Sequence, residues 1–305
     1  MHESLLRLLV CPDSGSPLQL EDAVCDARGD IERGRLVSAN GSVYPIRDGI
    51  PHFVDGDGYV STFSLQRRCM GSRFAPWQDE PDRDQLFERS TGLVLQTQRG
   101  ALVLDAGCGY GRFLEPVANA GATVVGIDLS ADSILLARRF LGNRESVHLV
   151  RGDLMRPPFP PAMFDAVYSI GVLQYTPSTR DAFLSLTRFV KPGGPLSIRV
   201  YAPQDKKSDD RWRRVTVHLP ASAVMVTGLA RHVVGEGVRR LLGRTNVAVR
   251  HQFWPRVMSQ FNSLAPPYAS SHTFEEVEQW FEQAGFVDVQ RLPRRIAVTG
   301  RRPLV

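Results

Sequence analysis

The sequence has no apolar run approaching the roughly 20 residues that a membrane-spanning helix needs, which argues against an integral helical membrane protein. Cysteine is scarce: four in 305 residues, widely scattered, do not make the disulfide framework of a small secreted domain. The opening MHESLLRLLVC lacks a basic region followed by a long apolar stretch, so it does not read as a secretory signal. Leu8-Leu9-Val10-Cys11 only faintly matches a lipoprotein cleavage box, and the apolar stretch before it is too short. Internal repeats and low-complexity tracts are missing. A cytoplasmic, reducing location is therefore expected. A large charge imbalance is missing as well: the formal net charge of +5 is too weak by itself to imply nucleic acid.

What is present is the composition of a globular protein, long enough for one large domain with a small companion and an insertion. The charge is unevenly placed. Between Asp205 and Gln260 stand Lys206, Lys207, Arg211, Arg213, Arg214, Arg231, Arg239, Arg240, Arg244, Arg250 and Arg256, opposed only by Asp205, Asp209, Asp210 and Glu236. This run is either a solvated face on surface helices or a site for an anionic acceptor or a membrane surface.

Four segments follow from the pattern: 1–57, 58–204, 205–268 and 269–305. The first is a small β-rich module, marginal alone. Leu5 to Val10 is apolar, and residues 12–17 form a loop. Arg35-Leu36-Val37 and Ser42-Val43-Tyr44 read as short strands joined at Asn40-Gly41, with a closing turn at 47–51. After a polar stretch and a helix over Gln85–Thr97, strands and helices alternate. Strands are expected at Leu102–Asp105, Thr123–Asp128, Val147–Val150, Phe164–Ile170 and Leu196–Tyr201. Helices are expected at Arg112–Ala120, 130–141 and Asp181–Phe189. Such alternation predicts an α/β fold with a parallel doubly wound sheet. Residues 203–268 break it with helical stretches around Ala221–Leu229 and Val233–Leu242. The chain ends in a helix over Thr273–Ala284, capped by Thr273 and Glu276 and stopped by Gly285, then strands at Phe286–Leu292 and Ile296–Arg301.

The chemistry concentrates in Val-Leu-Asp-Ala-Gly-Cys-Gly-Tyr-Gly, residues 103–111. A buried strand runs directly into Gly107, Gly109 and Gly111, where glycine permits a tight turn and close approach to a ligand. A helix N-terminus with free N–H groups follows. That much would also suit a dinucleotide. However, the small residue expected three positions after the second glycine is here Arg112, and the strand ends in Asp105, a carboxylate able to orient the loop or meet an ammonium. Asp128 closes the next strand, where a carboxylate can accept from both ribose hydroxyls. The alternative for Asp128 and Asp153 is that they merely cap the following helices. Cys108 reads as a small loop residue, not a nucleophile.

These segments resemble the class I S-adenosylmethionine-dependent methyltransferases, in the group similar to ubiquinone/menaquinone C-methylases. The resemblance covers roughly residues 85–204 and 271–301, through VLDAGCGYGRF, VVGIDLS, VRGDLMRPPFPPAMFDAVYSIGVLQYTP, VKPGG and TFEEVEQWFEQAGF. It implies a Rossmann-like seven-stranded sheet with the last strand antiparallel, and S-adenosyl-L-methionine as cofactor. By the same analogy Gly107 to Gly111 line the methionine moiety, Asp128 with Leu129 holds the ribose, and Asp153, between Gly152 and Leu154, accepts from the adenine amine. Ser169, Ile170 and Gly171 then lie beneath the sulfonium. Related enzymes often carry histidine where this chain has Gln174-Tyr175. Gln174 cannot act as a base, and Tyr175, with an ordinary pKa near 10, is a poor one. Tyr175 and His272 are the catalytic candidates, with His251 a further fallback.

Leu5 to Pro12 and Tyr44 to Pro51 resemble the zinc ribbon of the activator of transfer-RNA methyltransferases. The resemblance places two cysteine pairs around tetrahedral zinc. Here Cys11 remains, its partner is Ser14, the second pair is Ser38 and Gly41, and Cys25 is displaced, so no metal is expected. Three functions stay open. The first is methyl transfer to a small-molecule acceptor, anionic if the basic run meets it, under a cap made by the module and the insertion. The second is RNA methylation, suggested by the ribbon and the basic insertion. It is opposed by Ser-Ile-Gly-Val-Leu in place of an Asn/Asp-Pro-Pro-aromatic signature. The third is a non-catalytic scaffold, which would not need the intact glycine loop.

Overall fold

A computed structural model of the protein describes residues 1–70, 82–203, 210–230, 257, 261–293 and 296–304. Helix α1 (Glu3–Leu6) precedes a four-stranded antiparallel meander of β1 (Leu18–Cys25), β2 (Ile31–Ser38), β3 (Val43–Arg47) and β4 (Ile50–Pro51), in that spatial order. The Asn40-Gly41 turn is where the sequence puts it: Gly41 N–H donates to Ser38 O, and Asn40 Oδ1 accepts from Ser42 N–H. Strand β1 gave no alternation to read. It is an edge strand, largely exposed beyond Leu18, and a bulge at Asp22 (φ 51°) breaks its period.

The second sheet has seven strands: β5 (Leu102–Ala106), β6 (Thr123–Asp128), β7 (Val147–Arg151), β8 (Ala166–Ile170), β9 (Pro195–Val200), β10 (Val287–Arg291) and β11 (Ile296–Arg301). Their order is β10-β11-β9-β8-β5-β6-β7, and β11 runs antiparallel to both its neighbours. Strand order reverses between β5 and β8, so the carboxyl ends of β5, β6 and β8 open one crevice. Adjacent strand residues feed opposite faces: Val103 packs with Phe87, Leu114 and Ile134, and Leu104 with Val167, Phe183 and Phe281. Helices α2 (Ser61–Met70), α3 (Arg83–Thr91), α4 (Leu114–Asn119), α5 (Ala131–Leu141), α6 (Thr179–Thr187), α7 (Asp210–Thr216) and α8 (Phe274–Gln283) complete the described elements, with residues 221–230 also helical.

The helix expected over Gln85–Thr97 stops at Thr91, because Gly92 takes a left-handed φ of 68° and closes it; a short 3-10 turn follows at Leu95–Gln98. The helix expected from Arg112 begins at Leu114, since residues 110–113 are still turning out of the glycine loop. The capping box of α8 is half made. Thr273 Oγ1 accepts from Glu276 N–H, but the Glu276 carboxylate goes to His272 instead. The stretch Val233–Leu242 and His251 lie outside the described residues.

The module docks on the β7 edge. His52 bridges Arg151 in parallel, Phe53 N–H donates to Arg151 O at 2.8 Å, and Val10 N–H donates to Pro158 O at 3.0 Å. Leu9, Tyr44 and Phe53 share one buried core with Val150, Leu154 and Phe159. Docking therefore gives the module the apolar burial that a segment of its size lacks alone, and covers a strand edge that would otherwise stand open. No helix among the described residues is long and apolar enough to cross a membrane.

Candidate functional site

The crevice holds a cavity of about 220 Å³. Its floor is the loop after β5. Gly107 N–H and Cys108 N–H both donate to Ile127 O, at 2.8 and 3.1 Å, which folds the loop back over β6. Gly107 has φ 88°, and a side chain there would run into Val172. Only glycine fits both the conformation and the space. Gly111 serves packing: a Cβ there would come within 2.8 Å of Leu141 Cδ1, so this glycine lets α5 close on the loop instead of lining the cavity.

Asp128 anchors the site. Its Oδ2 accepts from Gly109 N–H and its Oδ1 from Ser130 N–H, both at 2.8 Å. The first bond fixes the glycine loop and the second starts α5, whose Ser130 Oγ caps Ser133 N–H. Burial nevertheless raises the Asp128 pKa against these hydrogen bonds. Asp105, also on the cavity wall, is pushed up to about 8 by burial, with the Asp128 charge adding to the shift. A carboxyl that is half neutral near pH 8 is poised to ionise beside an incoming cation.

Of the residues anticipated, Asp105, Gly107, Cys108, Gly109, Asp128, Leu129, Leu154, Ile170, Gly171 and Tyr175 line the cavity together. Others stand back from it. Ser169 is fully buried and its hydroxyl donates to Ala106 O at 2.7 Å, tying β8 to β5. Gly152 sits under Ile127, its N–H on Asp128 O. Asp153 Oδ1 accepts from Tyr59 OH at 2.7 Å and from Met155 N–H at 2.9 Å, so the adenine contact expected of it is not on the cavity wall. Cys108 is buried and its thiol pKa driven up, as a packing residue requires. Tyr175 donates to Tyr201 OH at 2.9 Å and meets the Phe63 ring edge-on; burial raises its pKa, which removes it as a base. His272 lies outside this cavity, on a second one.

Several lining residues escaped the sequence reading. Tyr59, Val60, Phe63 and Arg67 come from the linker and α2 and line the cavity. Arg67 stacks on Tyr110, its guanidinium 4.3 Å from the ring centre, and its Nε–H has no hydrogen-bond partner among the described residues. Helix α2 is held by Ser64 Oγ on Ser130 Oγ at 2.7 Å. Behind it, Arg151 joins three parts: its side chain donates to Leu129 O, faces His52 Nδ1 at 3.2 Å, and pairs with Asp57 at 3.0 Å. These residues match no short motif. The one available signal was the helical spacing of Val60, Phe63 and Arg67.

In the module, Cys11 is fully buried with Tyr44 OH 3.3 Å from its sulfur, and Ser16 Oγ is 2.7 Å from Ser38 Oγ. Burial acts to raise the thiol pKa, but hydrogen bonds from Ser14, Tyr44 and Ser38 outweigh it and bring it to about 6. Cys11, Ser14 and Ser38 thus converge, with hydroxyls beside the sulfur.

A glycine loop between a parallel strand and a helix, faced by a carboxylate on the next strand, defines a Rossmann-like ligand-binding domain. The comparisons narrow this class: residues 104–198 match the methyltransferase domain family and residues 2–49 the Trm112p-like proteins. The chain thus joins a segment similar to the methyltransferase domain to one similar to Trm112p-like proteins. It is 29% identical over 181 residues to the sterol 24-C-methyltransferase of Eremothecium gossypii, covering 58% of this chain and 46% of that protein. It is 37% identical over 108 residues to the malonyl-[acyl-carrier protein] O-methyltransferase of Enterobacter lignolyticus, covering 35% of this chain and 42% of that protein. The chain thus spans less than half the length of these relatives. Among solved structures, a complex between the Haloferax volcanii Trm112 methyltransferase activator and a methyltransferase aligns over 82% of this chain and 100% of that chain. That alignment has a TM-score of 0.48 and 14% identity.

Proposed function

We propose that the protein transfers a methyl group from S-adenosylmethionine to a small-molecule acceptor, by in-line displacement at the sulfonium. The observation that carries this reading is the half-buried Asp128 carboxylate, fixed by Gly109 and Ser130 N–H groups on the wall of a cavity that also holds the Asp105 carboxyl. The donor set fits the ligand: a carboxyl for its ammonium at Asp105, a carboxylate with free lone pairs for a ribose diol at Asp128, and apolar Leu129 and Leu154 for a ring. When bound, the cofactor supplies a methyl group on a leaving group already activated by positive charge. The chain's own part is then orientation and exclusion of water. Tyr175 and Phe63, in edge-on contact, and Tyr59 and Arg67 supply further cavity wall for this. Arg112 and Arg199 also line the cavity, which favours an anionic acceptor.

Asp128→Ala is expected to weaken S-adenosylmethionine binding by about 2–4 kcal/mol, measured by calorimetry on the folded variant. Unchanged affinity would reject the assignment. Incubation of the wild type with cofactor labelled in the methyl group and a low-molecular-weight cell extract is expected to label a small molecule.

A further inference from the structure

A second concavity, of about 430 Å³, opens between the start of α6, the segment Pro267–Ser270 and the start of α8. Three of its side chains stand in line. Glu276 Oε1 is 2.7 Å from His272 Nδ1, and His272 Nε2 is 2.8 Å from Ser270 Oγ. An ionised carboxylate only accepts, so Nδ1 carries the ring proton and donates it to Glu276. Nε2 is left with its lone pair toward the serine hydroxyl. On the other side of Ser270, Thr179 Oγ1 lies 2.6 Å from Ser270 Oγ. With Nε2 accepting from Ser270 Oγ, the order Ser270, His272, Glu276 is that of a serine nucleophile with its base and orienting acid, and Gln174 O is a second, longer acceptor for the Ser270 hydroxyl at 3.4 Å.

The line is clamped from outside itself. His272 N–H donates to Tyr201 O at 2.8 Å, and its ring meets Trp280 edge-on at 4.8 Å. Ser270 N–H donates to Gln174 O at 2.9 Å, and Glu276 N–H is held by Thr273. The start of α6 borders the same space. Ser178 Oγ caps Asp181 N–H, and Ser178, Thr179 and Arg180 of this turn line the cavity. Pro267, Tyr268 and Trp280 supply apolar wall. A purely structural brace would need none of this opening.

We propose that Ser270, His272 and Glu276 form a hydrolytic site for small carboxylic esters, separate from the methyl-transfer cavity and independent of that reading. Ser270 Oγ bonds to the ester carbonyl carbon as its proton passes to His272 Nε2, and the carbonyl oxygen takes the negative charge. His272 then returns the proton to the departing alkoxide as the carbon–oxygen bond to it breaks. Water repeats the sequence on the acyl-serine, releasing the acid and restoring the serine.

The test uses the full chain with a fluorophosphonate probe and p-nitrophenyl acetate. The expected result is probe adduct on the peptide containing Ser270, found by mass spectrometry, and ester hydrolysis that falls at least about 100-fold in Ser270→Ala and His272→Ala. Glu276→Gln should fall by about tenfold or more, with S-adenosylmethionine binding unchanged. Wild-type protein that binds S-adenosylmethionine yet takes no probe at Ser270 would overturn the proposal, as would hydrolysis that persists in Ser270→Ala. The labelled-peptide readout needs no variant, so a variant that fails to fold leaves the test intact.

Discussion

At the scale of single residues, charge inside the cofactor cavity is governed by burial. Burial pushes the Asp105 carboxyl up to about 8, and the nearby Asp128 charge adds to the shift against the hydrogen bond of Tyr168. At pH 7 it is mostly protonated. An ammonium placed beside it favours the ionised form, so binding should release a proton, and affinity should rise with pH between about 6 and 7. Calorimetry in buffers of different ionisation enthalpy measures that proton directly. Asp105→Asn should abolish the release while the cavity keeps its shape; an unchanged proton count in that variant would place the linkage elsewhere. Cys11 illustrates the opposite balance, in which hydrogen bonds overcome burial. With Ser14, Ser38 and Gly41 where the ribbon family carries cysteines, the purified protein is expected to hold no stoichiometric zinc by elemental analysis. The combined Ser14→Cys, Ser38→Cys, Gly41→Cys variant should gain about one zinc per chain.

At the scale of elements, the parts readable in the sequence were those whose period was uniform. The buried strands β5 to β9 and the glycine loop combine apolar runs with turn residues that have one physical meaning, so the sheet and most of the cavity floor could be anticipated. Strand β1 was not, because its bulge breaks the alternation, and α2 was not, because its role depends on Arg67, Phe63 and Ser64 meeting residues far along the chain. Spacing cannot report such contacts. The arginines of the basic run divide in the same way. Arg214 is exposed, whereas Arg213 on α7 is buried and donates to Ser263 O, Pro266 O and Pro267 O at 3.0, 2.8 and 3.4 Å. Arg213 is therefore a tie between α7 and the segment before α8, not an open anion contact. Arg213→Ala should lower stability by about 2–3 kcal/mol, seen as a fall in melting temperature. Arg214→Glu should shift it within about 0.5 kcal/mol. Equal effects of the two substitutions would contradict this division.

At the scale of the whole molecule, the module and the α/β sheet meet along β7, and two buried histidines lie in that seam. His52 is held neutral by burial and by Arg151 and Arg47, against Asp48, and its pKa is lowered to about 4. The Arg151 guanidinium faces its Nδ1, so that nitrogen carries no proton. His148 on β7 is lowered to about 4 by burial, by His2 and by the N-terminal amine. Both have folded pKa values below the ordinary 6.5, so the unfolded chain binds more protons than the folded one between about pH 6.5 and 4. Their stabilisation is complete above that window and is lost as pH falls through it, at about 2–3 kcal/mol for each histidine. Acidification from pH 7 to 4.5 should therefore lower the melting temperature. It should also raise amide exchange first at Phe53 N–H, which bonds β7, and at Val10 N–H, which bonds Pro158 O beyond it, before exchange rises within β5 and β6. Replacing both histidines by glutamine removes the titrating groups and should flatten the dependence of stability on pH across this window. A double variant that keeps the wild-type slope would show that the acid sensitivity arises in the carboxylates and not in the seam.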